Sequence, residues 1–345
     1  MNSFSRDIAH IVYASDDIFS EIMGISMLSL YENSKDMDEI VVYILDSGIS
    51  DSNKQKIESI CNKYCRKLPV WIPARNISAE LSMDVAVDRG SLSQYARLFI
   101  SSVLPDDLQR VLYLDCDTII NHSINELWNL DTQGKTIAAL MDAFSSKYRA
   151  NIELHTSDIM FNSGVMLVDL AKWKEQQVEQ RLLQFIADKK GKIQQGDQGA
   201  LNAILSHDIF CFEPYFNSVT IFYDFSYKEM IIYRKPPCFY TEEQIKKAIE
   251  EPRVIHFTTS FLSRRPWVEG CKHHFVLEWL KYKEISPWKD NPLWKYSNPS
   301  GIKGIYIAII DYMPRKFMIA LSGLLQAYGR PLIVKLKSMI LDSGG

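Results

Sequence analysis

Short apolar runs alternate with segments of helical periodicity in the first part of the chain. Residues 10–14, 40–45 and 69–72 are apolar runs of strand length. Between them, residues 18–31 and 51–65 carry apolar side chains at helical spacing. This β-α-β-α-β order predicts a mainly parallel sheet with helices on both faces.

The same alternation continues towards residue 257. Strands are predicted at residues 110–114, 137–141, 161–168 and 253–257, and helices at residues 93–103, 172–190 and 197–205. Residues 213–253 give a weaker signal and are rich in aromatic side chains. The pattern as a whole predicts an α/β protein with a Rossmann-like sheet flanked by helices.

The composition is that of a folded globular chain. Of 345 residues, 47% are hydrophobic and 23% are charged, which is ordinary for globular proteins. Thirty-nine basic and 42 acidic residues give a formal net charge of −3. An overall basic field is therefore absent, and no nucleic-acid partner is expected.

The charge is unevenly distributed. Residues 301–345 contain six basic and two acidic residues among the apolar runs 305–310, 317–325 and 332–334. A basic, apolar tail predicts amphipathic helices on the anionic inner face of a membrane. The alternative is a helix that completes the fold or forms an oligomer interface. We expect a catalytic domain over residues 1–285 and a basic, aromatic extension over residues 286–345.

Cysteine usage and hydropathy bear on the cellular compartment. The six cysteines are scattered and form no CxxC motif, which favours reduced thiols in the cytosol. The first residues lack a secretory pattern. The longest charge-free stretch in the tail, residues 317–329, is shorter than the ~20 residues that span a bilayer. We expect a cytoplasmic protein, peripherally associated with the inner face of the cell membrane.

Two carboxylates follow the apolar run 111–114. In extended backbone, the side chains of Asp115 and Asp117 point to the same side. They leave the sheet at a carboxyl end, where open α/β sheets bind ligands. Two converging carboxylates repel each other unless a cation or proton lies between them. A divalent ion bound to phosphate oxygens would fit such a pair.

Three interpretations of this pair differ in chemistry. It is a solvated strand-end turn, a metal site of an Asp-x-Asp nucleotide-sugar transferase, or the nucleophile motif of a haloacid-dehalogenase-type phosphatase. The phosphatase motif has Thr or Val at the position where this chain has Ile119. It also usually opens its domain, whereas here an α/β pattern precedes it.

Several further blocks agree with the transferase interpretation, and together the chain resembles glycosyltransferase family 8. The blocks are residues 10–17 (HIVYASDD), 93–98 (SQYARL), 111–117 (VLYLDCD), 161–173 (FNSGVMLVDLAKW), 195–202 (QGDQGALN), 254–257 (VIHF) and 265–267 (RPW). They follow the family's order over residues ~8–270. The resemblance implies a retaining, metal-dependent enzyme of the GT-A fold, most similar to bacterial lipopolysaccharide galactosyl- and glucosyltransferases.

The resemblance also implies roles for the nucleotide and metal. Ala14 and Asp16 would meet the uracil and ribose, and Phe19 would stack on the base. Asp115, Asp117 and His256 would bind Mn²⁺, with Mg²⁺ as an alternative. Without the family, Asp16 and Asp17 would be read as helix-capping charges. In the same way, His256 would be read as a packed core residue.

The resemblance implies a second set of residues around the donor sugar and diphosphate. These are Arg97, Asp142, Asn162, Asp197, Gln198 and Arg265. Gln198 would lie near the anomeric carbon, and Arg265, with Arg264 as its competitor, would contact the diphosphate. Thr259 or Ser260 would be the small residue nearby. Taken singly, Arg97 would be read as a surface arginine.

We therefore expect transfer of a hexose from UDP-galactose or UDP-glucose to a saccharide acceptor, which we expect to be lipid-linked. Retention at the anomeric carbon is expected through front-face attack, with a covalent step through Asp197 or Gln198 as the minority alternative. A non-catalytic nucleotide-sugar sensor or scaffold on the same fold is the alternative function. A zinc site at Cys271, His273 and His274 is disfavoured by the crowding of three ligands within four residues.

Overall fold

A seven-stranded sheet forms the centre of the protein in a computed structural model that describes residues 8–86, 91–296, 301 and 312–342. The strands are β1 (Ile8–Ser15), β2 (Glu39–Asp46), β3 (Val70–Pro73), β4 (Arg110–Leu114), β5 (Thr118–Ile120), β6 (Ile137–Met141), β7 (Phe161–Asp169), β8 (Ile209–Cys211), β9 (Ser218–Val219) and β10 (Val254–His256). The large sheet has the order β3-β2-β1-β4-β7-β6-β8, and a smaller sheet has the order β5-β10-β9.

The large sheet is mostly parallel, as predicted, with one reversed strand. The pairs β1–β2, β2–β3, β1–β4 and β6–β8 are parallel, whereas β7 is antiparallel to both β4 and β6. Eight of the nine residues of β7 are buried, as expected for a central strand covered on both faces.

The helices cover both faces of this sheet. They are α1 (Ser20–Asn33), α2 (Asp51–Lys63), α3 (Ile77–Leu81), α4 (Ile100–Val103), α5 (Asn125–Trp128), α6 (Ser146–Asn151), α7 (Leu170–Glu175), α8 (Val178–Asp188), α9 (Gly196–Leu205), α10 (Thr220–Asp224), α11 (Tyr227–Arg234), α12 (Glu242–Glu250), α13 (Val276–Glu284), α14 (Arg315–Leu324) and α15 (Arg330–Asp342). Two 3₁₀ turns occur at Leu92–Phe99 and Pro214–Asn217, and a π-helical turn, Leu325–Gly329, joins α14 to α15.

Two local predictions need correction, and the structure assigns elements to one segment whose sequence signal is weak. The helix predicted at residues 93–103 is a 3₁₀ segment followed by the short α4. The helix predicted at residues 172–190 is divided into α7 and α8 because Gln177 takes a left-handed conformation with φ 52°. Residues 213–253, whose sequence signal is weak, contain α10, α11 and α12. Capping boxes at Ser226 and Thr241 mark the starts of α11 and α12.

Alternation along each strand sends side chains into two apolar layers. On β1, Ile11 and Tyr13 point towards the layer that contains α1, whereas Val12 points to the opposite layer. On β4, Leu112 and Val111 separate in the same way. The sheet is therefore buried on both sides. Its polar side chains are located mainly at the ends of the strands.

The smaller sheet extends the carboxyl end of β4. The chain passes from β4 through Asp115–Asp117 into β5, which pairs antiparallel with β10. In that register His256 lies opposite Thr118, and its other neighbour is Val219 of β9. Residues that are far apart in the sequence therefore meet beyond the end of β4.

The chain beyond residue 285 also contacts the α/β core. Trp288 is buried to 2% exposure and donates its indole N–H to Asn53 at 2.9 Å. The side-chain amide of Asn291 donates to Glu21 on α1 at 2.7 Å. The domain boundary expected between residues 285 and 286 stays a prediction. The apolar run at residues 305–310 lies outside the described residues.

The segment from α14 to α15, here called the C-terminal helix, lies along α11 and α6. Gly323 permits the closest approach, because a Cβ atom there would lie 2.7 Å from the carbonyl oxygen of Ile232. Ser145 donates to the carbonyl of Ala327 at 2.7 Å, and Asn151 donates to the carbonyl of Pro331 at 2.8 Å. This helix is therefore packed onto the domain along one side.

Candidate active site

Asp115, Asp117 and His256 converge beyond the end of β4. His256 Nε2 lies 3.1 Å from Oδ1 of Asp117 and 3.7 Å from Oδ2 of Asp115. One ligand atom from each residue lies within 4.8 Å of the other two. Two carboxylate oxygens and an imidazole nitrogen in this arrangement form a set of donors that can hold a divalent cation.

The hydrogen-bond network assigns the tautomer of His256. Its Nδ1 lies 2.9 Å from Oδ1 of Asn217, and the amide of Asn217 donates to Oδ1 of Asn162 at 2.9 Å. Because the Asn217 oxygen accepts, a ring hydrogen is on Nδ1, and Nε2 is the ring nitrogen that faces the aspartates and is placed to ligate a metal ion. This tautomer suits metal ligation, and such outer partners orient the ligand.

Sequence reasoning missed Asn217. It is completely buried at the end of the 3₁₀ turn Pro214–Asn217. Its local sequence, Tyr-Phe-Asn-Ser, carries no motif that marks a site. Only the pairing of β9 with β10 brings this amide beside the histidine ring.

The backbone of β7 lies directly against the candidate metal ligands. A Cβ atom at Gly164 would lie 2.2 Å from Cε1 of His256 and 2.7 Å from Oδ2 of Asp115. The backbone N–H of Asp115 donates to the carbonyl of Gly164 at 2.7 Å. Glycine is therefore required at this position by the close approach of the ligands.

Arg97 is a buried cation rather than the surface residue that its isolated sequence suggests. Its guanidinium is bound to Asp115 at 2.8 Å, to Asp197 at 3.0 Å and to the carbonyl of Ser163 at 2.8 Å. It also lies 4.4 Å from the centre of the Tyr113 ring. Burial opposes its charge, but the neighbouring groups outweigh this effect and keep the pKa of Arg97 above its ordinary value.

Asp142, Asn162 and Gln198 form a polar pocket next to this group. The Asn162 amide bonds to Asp142 and lies 3.4 Å from Oε1 of Gln198. Burial raises the pKa of Asp142, and the nearby Arg234 and Asn162 oppose the shift only in part. Short carboxylate and amide side chains can pair with sugar hydroxyl groups. The fourth residue predicted here, Asp197, is 5% exposed, and its carboxylate pairs with Arg97.

The two candidate diphosphate arginines are distinguished by their contacts. Arg265 lies 2.7 Å from Oδ2 of Asp117 and donates to the hydroxyl of Thr259 at 2.9 Å. Arg264 instead covers the Tyr296 ring at 3.5 Å and donates to the carbonyl of Glu269. Of the two predicted competitors, Arg265 is therefore the one beside the candidate metal ligands, and Thr259 is the small residue that it contacts.

The residues predicted for the nucleotide lie at the end of β1. Asp16 accepts hydrogen bonds from Ser91 at 2.8 Å and from the backbone N–H of Phe19 at 3.1 Å. Phe19 is half-buried, with Trp267 and Trp294 in edge contact at ring-centre distances of 6.2 and 5.8 Å. The carbonyl of Ala14 accepts from the Cys116 thiol, so β1 and the aspartate pair are directly linked.

Asp17 has a structural role. It accepts hydrogen bonds from the backbone of Ser50 and the amide of Asn53, both at 2.8 Å. These bonds lower the pKa of the Asp17 carboxyl. Asp17 thus anchors the start of α2, which is a different helix from the one that follows it in the sequence.

The side chains of Cys271, His273 and His274 have other partners. Cys271 donates to the carbonyl of Arg264 at 2.9 Å, and the His274 ring stacks on Tyr223. Burial lowers the pKa of His273 to about 4. Within the described part of the chain, the candidate metal cluster of three or more ligands is the Asp115, Asp117 and His256 group, so the disfavoured zinc site finds no support.

The donor set fits a divalent ion. Aspartate oxygens are the preferred ligands of Mg²⁺ and Mn²⁺, and a neutral imidazole adds affinity for a transition metal. Asp115 keeps 24% of its side chain exposed, so the site is open on one side. Open coordination positions are what a metal needs in order to bind a substrate oxygen.

Solved structures share the architecture. The galactosyltransferase LgtC, crystallised with donor and acceptor sugar analogues, superposes with a TM-score of 0.68 at 21% identity, covering 81% of this chain and 96% of that one. The bifunctional glycosyltransferase WbbM superposes with a TM-score of 0.66 at 16% identity, covering 84% and 52%. The fold is therefore the GT-A fold of glycosyltransferases, which confirms the predicted fold class.

A family model narrows this class. The model of glycosyl transferase family 8 matches residues 10–270 of the 345-residue chain. The chain belongs to glycosyltransferase family 8, and the family predicted from the motif blocks is confirmed.

Curated relatives cover nearly the whole catalytic region. General stress protein A of Bacillus subtilis is 27% identical over 288 residues, which is 82% of this chain and 95% of that protein. Lipopolysaccharide 1,2-glucosyltransferase of Escherichia coli K12 is 24% identical over 294 residues, which is 84% of this chain and 82% of that protein.

The contact at Gly164 gives a test of the metal site. Gly164→Ala should weaken Mn²⁺ binding by at least about 10-fold, the loss typical of misoriented metal ligands, because the new methyl group displaces His256 and Asp115. Isothermal titration with Mn²⁺ measures this affinity. The matched control is Gly329→Ala, whose Cβ would meet only the Leu325 side chain, at 3.6 Å. Equal Mn²⁺ affinity of Gly164→Ala and wild type would contradict the metal assignment.

The raised pKa of Asp142 gives a test of stability. In the unfolded chain Asp142 ionises at its ordinary pKa, so ionisation of the buried carboxyl opposes folding as pH rises above that value. Asp142→Asn should therefore increase the free energy of unfolding at pH 7, and the gain should shrink at about pH 4. Urea denaturation at both pH values measures this. The control is Asp106→Asn, at a fully exposed carboxylate, which should leave the free energy of unfolding unchanged at both pH values. If Asp142→Asn changed the free energy of unfolding equally at both pH values, the argument from the buried charge would be wrong.

Proposed function

We propose that this glycosyltransferase transfers a hexose from UDP-galactose or UDP-glucose to a saccharide hydroxyl, with retention at the anomeric carbon and dependence on a divalent metal. The observation that carries the proposal is the convergence of Asp115, Asp117 and Nε2 of His256 beside the polar side chains of Asp142 and Asn162. A metal-diphosphate site adjacent to a sugar pocket is the arrangement that a nucleotide-sugar donor requires.

Departure of UDP is the demanding step. A divalent ion held by Asp115, Asp117 and His256 would supply a Lewis acid for the diphosphate oxygens. Arg265 offers a guanidinium 2.7 Å from Asp117, where it can donate to phosphate oxygens as negative charge develops. Arg97 keeps Asp115 oriented from the buried side, so the ligand geometry is set before substrate binds.

The contacts of Asp197 and Gln198 support front-face attack. A covalent intermediate needs a free carboxylate at the anomeric carbon, but the Asp197 carboxylate is buried and paired with Arg97 at 3.0 Å. Gln198 is an amide whose oxygen accepts from the backbone of Ser163. In the proposed step, the bond from the anomeric carbon to the diphosphate breaks as the acceptor oxygen bonds to that carbon. The acceptor proton passes to the departing diphosphate oxygen.

The relatives support a hexose donor and a cell-surface acceptor. One is named for lipopolysaccharide 1,2-glucosyl transfer, and the structural neighbour LgtC is named a galactosyltransferase. We therefore propose a saccharide acceptor of lipopolysaccharide or a similar glycan, carried on a lipid at the cytoplasmic face of the membrane.

The C-terminal helix supports attachment to that membrane. Its residues Arg315–Leu336 form one continuous helix that contains an 18-residue window with a mean hydropathy of 1.3, long and apolar enough by composition to cross a bilayer. One side packs on the domain, however, and the other is exposed. The exposed apolar side chains are Phe317, Leu321, Leu324, Leu325, Tyr328, Leu332, Ile333 and Leu336. Because one side is committed to protein contacts, we propose that the helix lies on the membrane surface.

Charge favours an anionic bilayer as the partner of this face. Lys316, Arg330 and Lys335 are exposed along the same helix. Basic residues beside a buried apolar stripe add to binding at anionic headgroups. The carbonyl contacts of Ala327 and Pro331 with the domain would then hold the active site at a fixed height above the lipid.

The first experiment measures UDP release from the purified protein. With Mn²⁺, slow release from UDP-galactose or UDP-glucose is expected, and a chelator should abolish it because the diphosphate then lacks its Lewis acid. Asp117→Asn should lower release by at least about 10²-fold, and Asp131→Asn, at an exposed aspartate outside the site, is the matched control. UDP binding without release in the presence of saccharide acceptors would favour the nucleotide-sugar sensor instead.

Vesicle flotation tests the membrane surface. Wild-type protein should float with vesicles of anionic phospholipid more than with vesicles of zwitterionic lipid. The double variant Leu324→Glu/Leu332→Glu should lose most of this binding, because it places charges in the exposed apolar face. Leu277→Glu alters an equally apolar residue on α13 that is 76% exposed, and it should bind as wild type does. Unchanged flotation of the double variant would reject the proposed attachment.

A further inference from the structure

Arg234 is linked by a short chain of contacts to the segment that contains Asp142. It is the last residue of α11, whose first residue, Tyr227, donates to the carbonyl of Tyr240 at 2.8 Å. The Tyr240 hydroxyl in turn accepts from the backbone N–H of Met141, which directly precedes Asp142. The position of α11 is therefore fixed relative to the pocket.

The C-terminal helix holds α11 from the opposite side. Arg315 makes two hydrogen bonds to the Glu229 carboxylate, at 2.8 and 2.9 Å. Gly323 packs against the backbone of Ile232 and Tyr233. Immediately after Arg234, Lys235 takes a left-handed conformation with φ 47° and ends the helix. Arg234 is thus presented by a rigid element and not by a free loop.

The guanidinium of Arg234 lies on aromatic rings. Its central carbon is 5.2 Å from the centre of the Phe144 ring and 5.3 Å from that of Tyr233. The Nε atom is enclosed and has no hydrogen-bond partner among the described residues. Across residues 8–86, 91–296 and 312–342, no carboxylate forms an ion pair with this guanidinium. A half-buried guanidinium without an ion pair among these residues is unusual, because desolvation of a charge is costly unless it is paired.

The surroundings favour an anionic group at this position. The Arg234 charge favours the ionised form of Asp142, so the two groups lie within electrostatic reach. A second guanidinium, that of Arg149, is fully buried and also within reach of Asp142. It donates to the carbonyls of Asp158 and Phe144 and has an Nη2 without a partner in the described structure. Arg149 and Arg234 therefore both lie within electrostatic reach of buried acidic groups, Asp142 for both and Asp158 for Arg149 in addition, but Arg234 makes no ion pair among the described residues.

We propose that Arg234 binds an anionic group, a phosphate or a carboxylate, of the saccharide acceptor at the rim of the donor-sugar pocket. The inference rests on the proposed function, since it concerns the second substrate of that reaction. The planar guanidinium suits both oxyanions, which it can bind through two parallel hydrogen bonds. The stacking on Phe144 and Tyr233 leaves its edge to make those bonds.

The diphosphate of the UDP-sugar donor is proposed to bind at a different arginine, Arg265. Arg265 lies beside Asp117, on the metal side of the pocket, and Arg234 acts on Asp142, on the sugar side. An anion at Arg234 therefore belongs to the other reactant. The helix proposed to meet anionic lipid contacts α11 directly, which suits an acceptor that is presented with charged groups at the membrane surface.

The test compares charged and neutral probes in the UDP-release assay. Glucose, glucose 6-phosphate and glucuronate are titrated at fixed free Mn²⁺ and fixed ionic strength, with inorganic phosphate as a separate arm. Each probe either accelerates UDP release by accepting the hexose or slows UDP release by excluding water. The quantity recorded is the probe concentration that gives half of the maximal change in the rate of UDP release, here called the half-effect concentration. We expect that concentration to be at least about 10-fold lower for a charged sugar than for glucose, and inorganic phosphate alone to act more weakly than the sugar phosphate.

Variants of Arg234 distinguish recognition of the charged sugar from a purely structural role of this residue. Arg234→Gln should reduce the preference for the charged sugar to less than about 3-fold, and Arg234→Lys should keep an intermediate preference because its charge remains. Arg181→Gln, at an exposed arginine on α8, should leave the preference unchanged. Since the preference is a ratio within one protein, a merely structural role of Arg234 would not alter it.

The outcomes are distinct. Equal half-effect concentrations for glucose and the charged sugars in wild type, with normal metal-dependent UDP release, would overturn this inference alone. Retention of the full preference by Arg234→Gln would overturn it as well. Absence of metal-dependent UDP release from wild type would overturn the proposed function, and this inference with it. If inorganic phosphate acted as strongly as glucose 6-phosphate, the site would be a general anion site and the assignment to the acceptor would be wrong.

Discussion

Two carboxylates held side by side beyond a buried strand repel each other, and the site is built around that repulsion. Arg97 pairs with Asp115, Arg265 pairs with Asp117, and His256 lies between the two aspartates. Loss of one partner from a buried ion pair costs about 3–5 kcal/mol. Because these compensating groups come from separate segments, the aspartate pair depends on the complete fold for its geometry.

A single amide links the metal side of the site to the sugar side. Asn162 accepts hydrogen bonds from Gly164 and Asn217, and its own amide reaches Gln198. Through Asn217, this network sets the tautomer of His256. The sugar pocket and the candidate metal ligands therefore share hydrogen bonds, so the two halves of a donor molecule would meet a site that is organised as one unit.

The C-terminal helix lies between α11 and the outer surface of the protein. Its inner side supports α11 through Gly323 and Arg315, and its outer side exposes an apolar face. The same rigid packing that would seat the protein on lipid also fixes Arg234 at the sugar pocket. This arrangement gives a physical reason for an extension to follow a complete GT-A fold.

The sequence by itself determined most of the secondary-structure elements and indicated the chemistry of the Asp115 and Asp117 carboxylates. Local periodicity located six of the seven strands of the large sheet, all but β8, and the Asp115–Asp117 spacing with the His256 block indicated a candidate metal site and the family. Only the tertiary structure decided the reversed direction of β7, the burial of Arg97 and the part played by Asn217. It also separated Arg265 from Arg264 through a contact between residues 148 positions apart. Such features depend on strand pairing and packing between distant segments, which local sequence patterns do not encode.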